Sequence, residues 1–105
     1  MKSYKLTGIN LEVAKEDLGT LSFNVASLKA EAIGDGWRIP TIVELKYLYN
    51  LSKIGLLSFK PERYWSSSVP AEGNAIERYC LFFNNGWRTG FTKFNTFRIR
   101  LVRDL

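Results

Sequence analysis

Histidine is absent from this chain of 105 residues, and cysteine occurs once, at Cys80. Without histidine there is no Ser-His-Asp or Cys-His pair and no imidazole metal site. A single cysteine excludes an internal disulfide and a multi-thiolate metal cluster. Any acid–base chemistry would fall to Asp, Glu, Lys or Tyr. The carboxylates Glu12, Glu16, Asp17, Glu31, Asp35 and Glu44 are scattered and do not fall at the spacing of a calcium loop, so no cofactor or metal is expected. No apolar run approaches the roughly 20 residues of a membrane span. The alternation after Met1-Lys2-Ser3-Tyr4 is not the apolar core of a secretion signal. The chain therefore reads as cytoplasmic with no membrane partner, and export stays open should it be a piece of a longer protein. No linker or low-complexity stretch divides it, so residues 1–105 read as one domain.

Apolar residues make up 46% and aromatics 14% of the chain, which argues against disorder and for a real core. Fifteen Lys and Arg face ten Asp and Glu, a net charge of +5. The excess is uneven: after Ala75, Arg78, Arg88, Lys93, Arg98, Arg100 and Arg103 meet only Glu77 and Asp104. An anionic partner is one reading of that asymmetry, and a solvated basic face is the other.

Periodicity divides the chain into strands and helices. Leu6, Ile9, Leu11 and Val13 alternate with polar residues over 4–14, the pattern of a half-buried strand. A helix is expected from Ser22 to Ile33, with Val25, Leu28 and Ala32 on its buried stripe and Gly34 at its end. A second helix opens at Thr41, whose hydroxyl and the Glu44 carboxylate form a capping box. Pro40 fixes its entry, Ile42, Leu45 and Leu48 form the buried stripe, and Asn50 is the expected end. The pattern then switches to strands: Tyr64–Val69, a turn at Glu72-Gly73-Asn74, and Ala75–Phe83, apolar on both faces and so interior to a sheet. Asn84-Asn85-Gly86 is a hairpin turn and Trp87–Phe91 the returning strand. Phe97–Val102 closes the chain, with Phe97, Ile99 and Leu101 inward and Arg98 and Arg100 outward. Strand, two helices, then several strands is an α+β order.

Trp37-Arg38-Ile39-Pro40-Thr41, Glu44-Leu45, Tyr64-Trp65-Ser66-Ser67-Ser68 and Val102-Arg103 together resemble the Lcl C-terminal domain family, formerly a domain of unknown function. The motifs span most of the chain in the expected order. The resemblance implies a C-type-lectin-like fold: two helices packed on a twisted antiparallel sheet, paired N- and C-terminal strands, and ligand contacts on long loops of one side. The calcium-dependent sugar-binding lectins of that fold use Glu-Pro-Asn or Gln-Pro-Asp with Trp-Asn-Asp, and neither is present here. The related formylglycine-generating enzymes need active-site cysteines that this chain lacks.

Trp37, Arg38, Pro40, Thr41, Glu44 and Trp65 read as structural: a core plug, a guanidinium for loop carbonyls or a carboxylate, and a helix start. Ser66-Ser67-Ser68 lacks a base, and Cys80 reads as a small buried hydrophobe. The binding candidate is the hairpin and its following loop, with Asn85, Trp87, Arg88, Thr89, Phe91, Lys93, Phe94 and Asn95. Rigid aromatic area, forked Arg donors and adaptable amides suit recognition. In the fold implied by the resemblance, variable binding residues lie in this stretch. The competing reading puts Trp87, Phe91 and Phe94 in the core. The expected function is a non-enzymatic, calcium-independent module for a protein or an anionic glycan. The alternatives are single-stranded nucleic-acid binding through the basic C-terminal third and assembly into a homo-oligomer.

Overall fold

The computed structural model describes residues 1–71, 73 and 75–105, so Glu72 and Asn74 of the turn read at Glu72-Gly73-Asn74 lie outside the described residues. The segment read as one strand over 4–14 is a hairpin. β1 (Ser3–Leu6) passes through a 3₁₀ turn at Thr7–Ile9 into β2 (Leu11–Ala14), with Asn10 left-handed at φ 52°. Leu6 sits opposite Leu11, so apolar residues on both sides of the reversal share a face and mimic a single alternation. The step of three from Leu6 to Ile9 is where the period of two fails.

β3 (Gly19–Ser22) runs directly into α1 (Phe23–Ile33), where the Ser22 hydroxyl accepts the Val25 N–H and Gly34, φ 73°, ends the helix. The buried stripe is Phe23, Ala26 and Ala30; Val25, Leu28 and Ala32, expected inward, are exposed. Trp37 and Trp65 belong to the same core cluster as those alanines. Two indoles fill the volume beneath the helix, so small side chains face them and the larger aliphatics turn to solvent.

α2 (Ile42–Lys53) begins as expected and runs one turn past Asn50. Thr41 Oγ1 accepts the Glu44 N–H at 3.1 Å, and Glu44 Oε1 accepts the Thr41 N–H at 2.9 Å. Ser68 Oγ accepts a third orphan amide, that of Ile42, at 2.9 Å. Ile42, Leu45, Leu48 and Tyr49 are buried.

The remaining strands are β4 (Arg63–Trp65), β5 (Glu77–Phe82), β6 (Trp87–Thr92), β7 (Thr96–Ile99) and β8 (Val102–Asp104). Among the described residues they complete two sheets, ordered β1-β2-β8 and β3-β7-β4-β5-β6. β4 is shorter than the Tyr64–Val69 strand expected, because the regular ladder with β5 ends at Trp65: Tyr79 then bonds both Ser66 and Ser68, and Ser67 turns out to Pro40. Ser66 donates both its N–H and its hydroxyl to Tyr79 O, and the Ser67 N–H donates to Pro40 O at 2.8 Å. The larger sheet is mixed, not wholly antiparallel: β4 runs parallel to β7 through Tyr64 and Arg98. A parallel neighbour requires a crossover connection rather than a hairpin.

The helices lie on opposite faces of that sheet. Tyr64 and Leu81 join Ile42, Leu45 and Leu48 of α2, while Trp65 and Cys80 join Phe23, Ala26 and Ala30 of α1. This is why β5, flanked by β4 and β6, carries apolar residues on both faces.

The C-terminal segment pairs with the N-terminal one, but through β2 rather than the outermost β1. The closing strand expected over Phe97–Val102 is broken into β7 and β8. β3 pairs with β7 and β2 with β8. Five residues lie between Val13 and Gly19, whereas two lie between Ile99 and Val102, so residues 15–17 bulge. Asp17 stands in that bulge and draws Arg98 and Arg100 toward it, with contacts of 3.1 and 2.9 Å. Arg100, expected outward, is 5% exposed. Its guanidinium also donates to Ala14 O and Ser58 O and lies 4.2 Å from the Phe59 ring centroid. Arg98 is half-buried and reaches Glu62 as well.

Candidate functional site

The β5–β6 hairpin carries the candidate surface, and its tip is locked by local geometry. The N–H groups of Asn85 and Gly86 donate to Phe82 O at 3.2 and 2.7 Å, and Asn85 Oδ1 accepts the Trp87 N–H at 3.0 Å. Gly86 has φ 77°, and a Cβ there would meet the Tyr49 ring at 2.5 Å. Its carbonyl accepts a hydrogen bond from Lys46 Nζ at 3.2 Å, so the tip is pinned to α2.

The eight expected binding residues fall in four places: Asn85 in the tip, and the other seven on the two faces of β6 and beyond its far end. Trp87, Thr89 and Phe91 project to the α1 side, opposite Phe82, Cys80 and Arg78. Trp87 is 73% exposed. Arg63 completes this face: its guanidinium lies 4.6 Å from the Phe82 ring centroid and 5.4 Å from that of Phe91. Phe91 is anchored edge-on to Phe97 at 5.0 Å, so this part of the face is continuous with the core. Arg88 projects to the α2 side, 4.9 Å from the Tyr79 ring. Lys93, Phe94 and Asn95 sit beyond the far end of β6, roughly 17 Å away at about 3.4 Å per residue. There Lys93 holds the start of α1, its carbonyl accepting the Phe23 N–H at 3.1 Å. The Asn95 amide donates to Thr92 O and Oγ1 within the turn, and Phe94 is 75% exposed.

The surface that emerges is a platform of Trp87, Phe82, Arg63, Thr89 and Phe91 on β4–β6. β6 has β5 on one side and forms the edge of its sheet. Arg63 and Phe82 were not singled out from the sequence. The signal that could have found them is register: with Asn84-Asn85-Gly86 as the turn, Phe82 and Trp87 face each other.

Of the residues read as structural, Trp37, Pro40 and Trp65 are buried and Arg38, Thr41 and Glu44 half-buried. Trp37 is buried beneath the Arg103 guanidinium at 4.7 Å. Arg38 forks onto Glu44 with two contacts of 2.7 Å and reaches Asp104 at 2.9 Å. That fork holds the Glu44 carboxyl below its ordinary value of 4.5, burial opposing it and the Thr41 amide helping. Pro40 is buried, and Trp65 Nε1 donates to Leu21 O at 3.0 Å.

Cys80, Ser66 and Tyr64 are buried. Burial pushes the Cys80 thiol up to about 12, and nearby Arg63 only partly offsets it. Burial likewise raises the Tyr64 phenol above its usual range; its hydroxyl donates to Asp17 Oδ2 at 2.9 Å. Among the described residues no three Cys, Asp or Glu side chains gather as metal ligands, and no helix is long and apolar enough to cross a membrane. Compared with known proteins, no family model matches the chain and no curated sequence matches it significantly.

Proposed function

We propose that this chain is a non-enzymatic, metal-independent binding module of C-type-lectin-like fold that takes a partner protein on the Trp87–Phe82–Arg63 platform. The observation that carries the reading is Trp87, an indole 73% exposed on the edge strand of a sheet. Trp and Arg are the residues in which binding energy concentrates, and here both stand beside a second aromatic ring on one face. The fold part of the reading is supported by the pairing of β2 with β8, which lays the two ends of the chain side by side, and by two helices that brace the sheet.

A protein is favoured over a polyanion by where the positive charge goes. Arg98, Arg100 and Arg103 supply half of the basic residues after Ala75, yet they pair with Asp17, Glu62 and Glu12. The charge excess along the sequence is thus partly neutralised in space, and on the platform face the Arg63 guanidinium lies over the Phe82 and Phe91 rings and that of Arg78 over Phe23. Tracking phosphates or sulfates calls for a row of unpaired cations.

The test is a peptide-display selection against the intact chain, run beside arrays of neutral glycans, sulfated glycans and single-stranded oligonucleotides. Selected peptides should bind in the presence of chelator and lose roughly 30-fold or more in affinity with Trp87→Ala. The melting temperature should stay nearly unchanged, since an exposed side chain contributes little to folding. Binding confined to polyanions, or peptide binding indifferent to Trp87→Ala, would overturn the reading.

A further inference from the structure

A groove of about 500 Å³ lies along the junction of α2 and the hairpin, on the opposite side of the sheet from the Trp87 platform. Its apolar lining is Ile42, Val43, Tyr47 and Leu81, and its cations are Lys46 and Arg88. Among the described residues no carboxylate lines it, and neither cation enters an ion pair. Each is nonetheless held in place. Lys46 Nζ donates to Gly86 O and lies 5.0 Å from the Tyr49 ring centroid, and Arg88 lies 4.9 Å from that of Tyr79. Aromatic faces orient a cation without cancelling its charge as a carboxylate would.

The walls are fixed as well. Any side chain at position 86 would collide with Tyr49, so the hairpin packs directly on α2. Val43, at the start of the helix, is 76% exposed, an apolar surface left to solvent beside two unneutralised cations. The volume falls within the roughly 300–1,000 Å³ of small-molecule sites, which are mostly apolar with a few placed polar groups.

We propose that this groove binds a small amphipathic anion. Its aromatic or aliphatic body lies against Ile42, Val43, Tyr47 and Leu81, and its carboxylate or phosphate head engages Lys46 and Arg88. The pairing follows from charge complementarity, because a neutral apolar ligand would leave both cations unanswered. This site is independent of the Trp87 platform, since Trp87 and Arg88 project from opposite faces of β6.

The experiment is an NMR titration of the whole chain with naphthoate, naphthyl phosphate and neutral naphthamide in parallel. The anions should shift the amide resonances of Lys46, Gly86 and Arg88 saturably while the Trp87 indole N–H stays still. Naphthamide should bind about tenfold more weakly or worse, because hydrogen bonds to an ionised head are the stronger kind. Lys46→Gln with Arg88→Gln should lose about tenfold for the anions and little for naphthamide, its own spectrum reporting an intact fold. The stronger of the two anions identifies the head group. Equal affinity for naphthoate and naphthamide, shifts centred on the Trp87 indole, or no saturable shift would each overturn the proposal. So would anion binding that survives the double substitution.

Discussion

Gly86 carries two constraints in one residue. Its φ of 77° disfavours any side chain, and the Tyr49 ring occupies the place where a Cβ would go. Gly86→Ala should therefore cost on the order of 1–3 kcal/mol, measurable as a lower urea midpoint with unchanged slope. An unchanged midpoint would mean the hairpin tip moves off α2 at no cost. The same variant should disturb the groove wall and leave Trp87 exposed. The sequence made the turn legible, because Asn-Asn-Gly tolerates positive φ. It could not reveal the second constraint, since Tyr49 lies on a helix 37 positions earlier in the chain. Arg100 illustrates the same limit. Next to Ile99 and Leu101 it reads as the outward member of an alternation, yet the bulge at Asp17 offers a buried anion and turns it inward.

At the scale of the element, α2 is the best-specified part of the molecule. Thr41, Glu44 and Ser68 satisfy three of the amide donors that a helix start leaves open. Glu44 also accepts the Arg38 fork, which lowers its folded pKa beneath the ordinary 4.5. A depressed carboxylate stabilises the fold above its unfolded pKa, and that contribution disappears as pH falls through the folded value. Glu44→Gln should lower stability by about 1–3 kcal/mol near neutrality, from loss of the charged fork to Arg38, since the glutamine amide oxygen can still accept the Thr41 N–H. Its stability should then decline less steeply than the wild type's on acidification below pH 4.5, which urea midpoints across pH would measure. Parallel acid limbs would show that the fork adds nothing. α1 was legible in extent but not in orientation. Its stripe was read from the largest aliphatics, whereas Trp37 and Trp65 had already claimed that volume.

For the molecule as a whole, charge is the clearest case of space overruling order along the chain. Asp17, 12% exposed in its side chain, gathers Arg98, Arg100 and the Tyr64 hydroxyl, and so ties the bulge to β7, the β7–β8 break and β4. Asp17→Asn would leave the buried Arg100 guanidinium without its counter-charge, and breaking such a pair costs about 3–5 kcal/mol. Chemical unfolding of the variant should show a loss of that size. A loss below about 1 kcal/mol would class these contacts with ordinary surface pairs. Because Arg103 likewise answers Glu12, half of the basic residues after Ala75 are internal wiring between earlier segments and the last strands.

What the sequence determined by itself is local. It set the α+β order, the second helix with its cap, the Asn84–Gly86 reversal and the absence of histidine- or disulfide-based chemistry. These depend on propensity, capping and composition, which act over a few residues. Only the tertiary structure decided that the helices flank the sheet on two faces and that β4 and β7 run parallel. It also decided that Trp87 and Arg88 serve opposite sides and that Arg98 and Arg100 turn toward Asp17. Each of those outcomes depends on partners distant along the chain, where the packing of two segments against each other, not the pattern within either, selects the lower free energy.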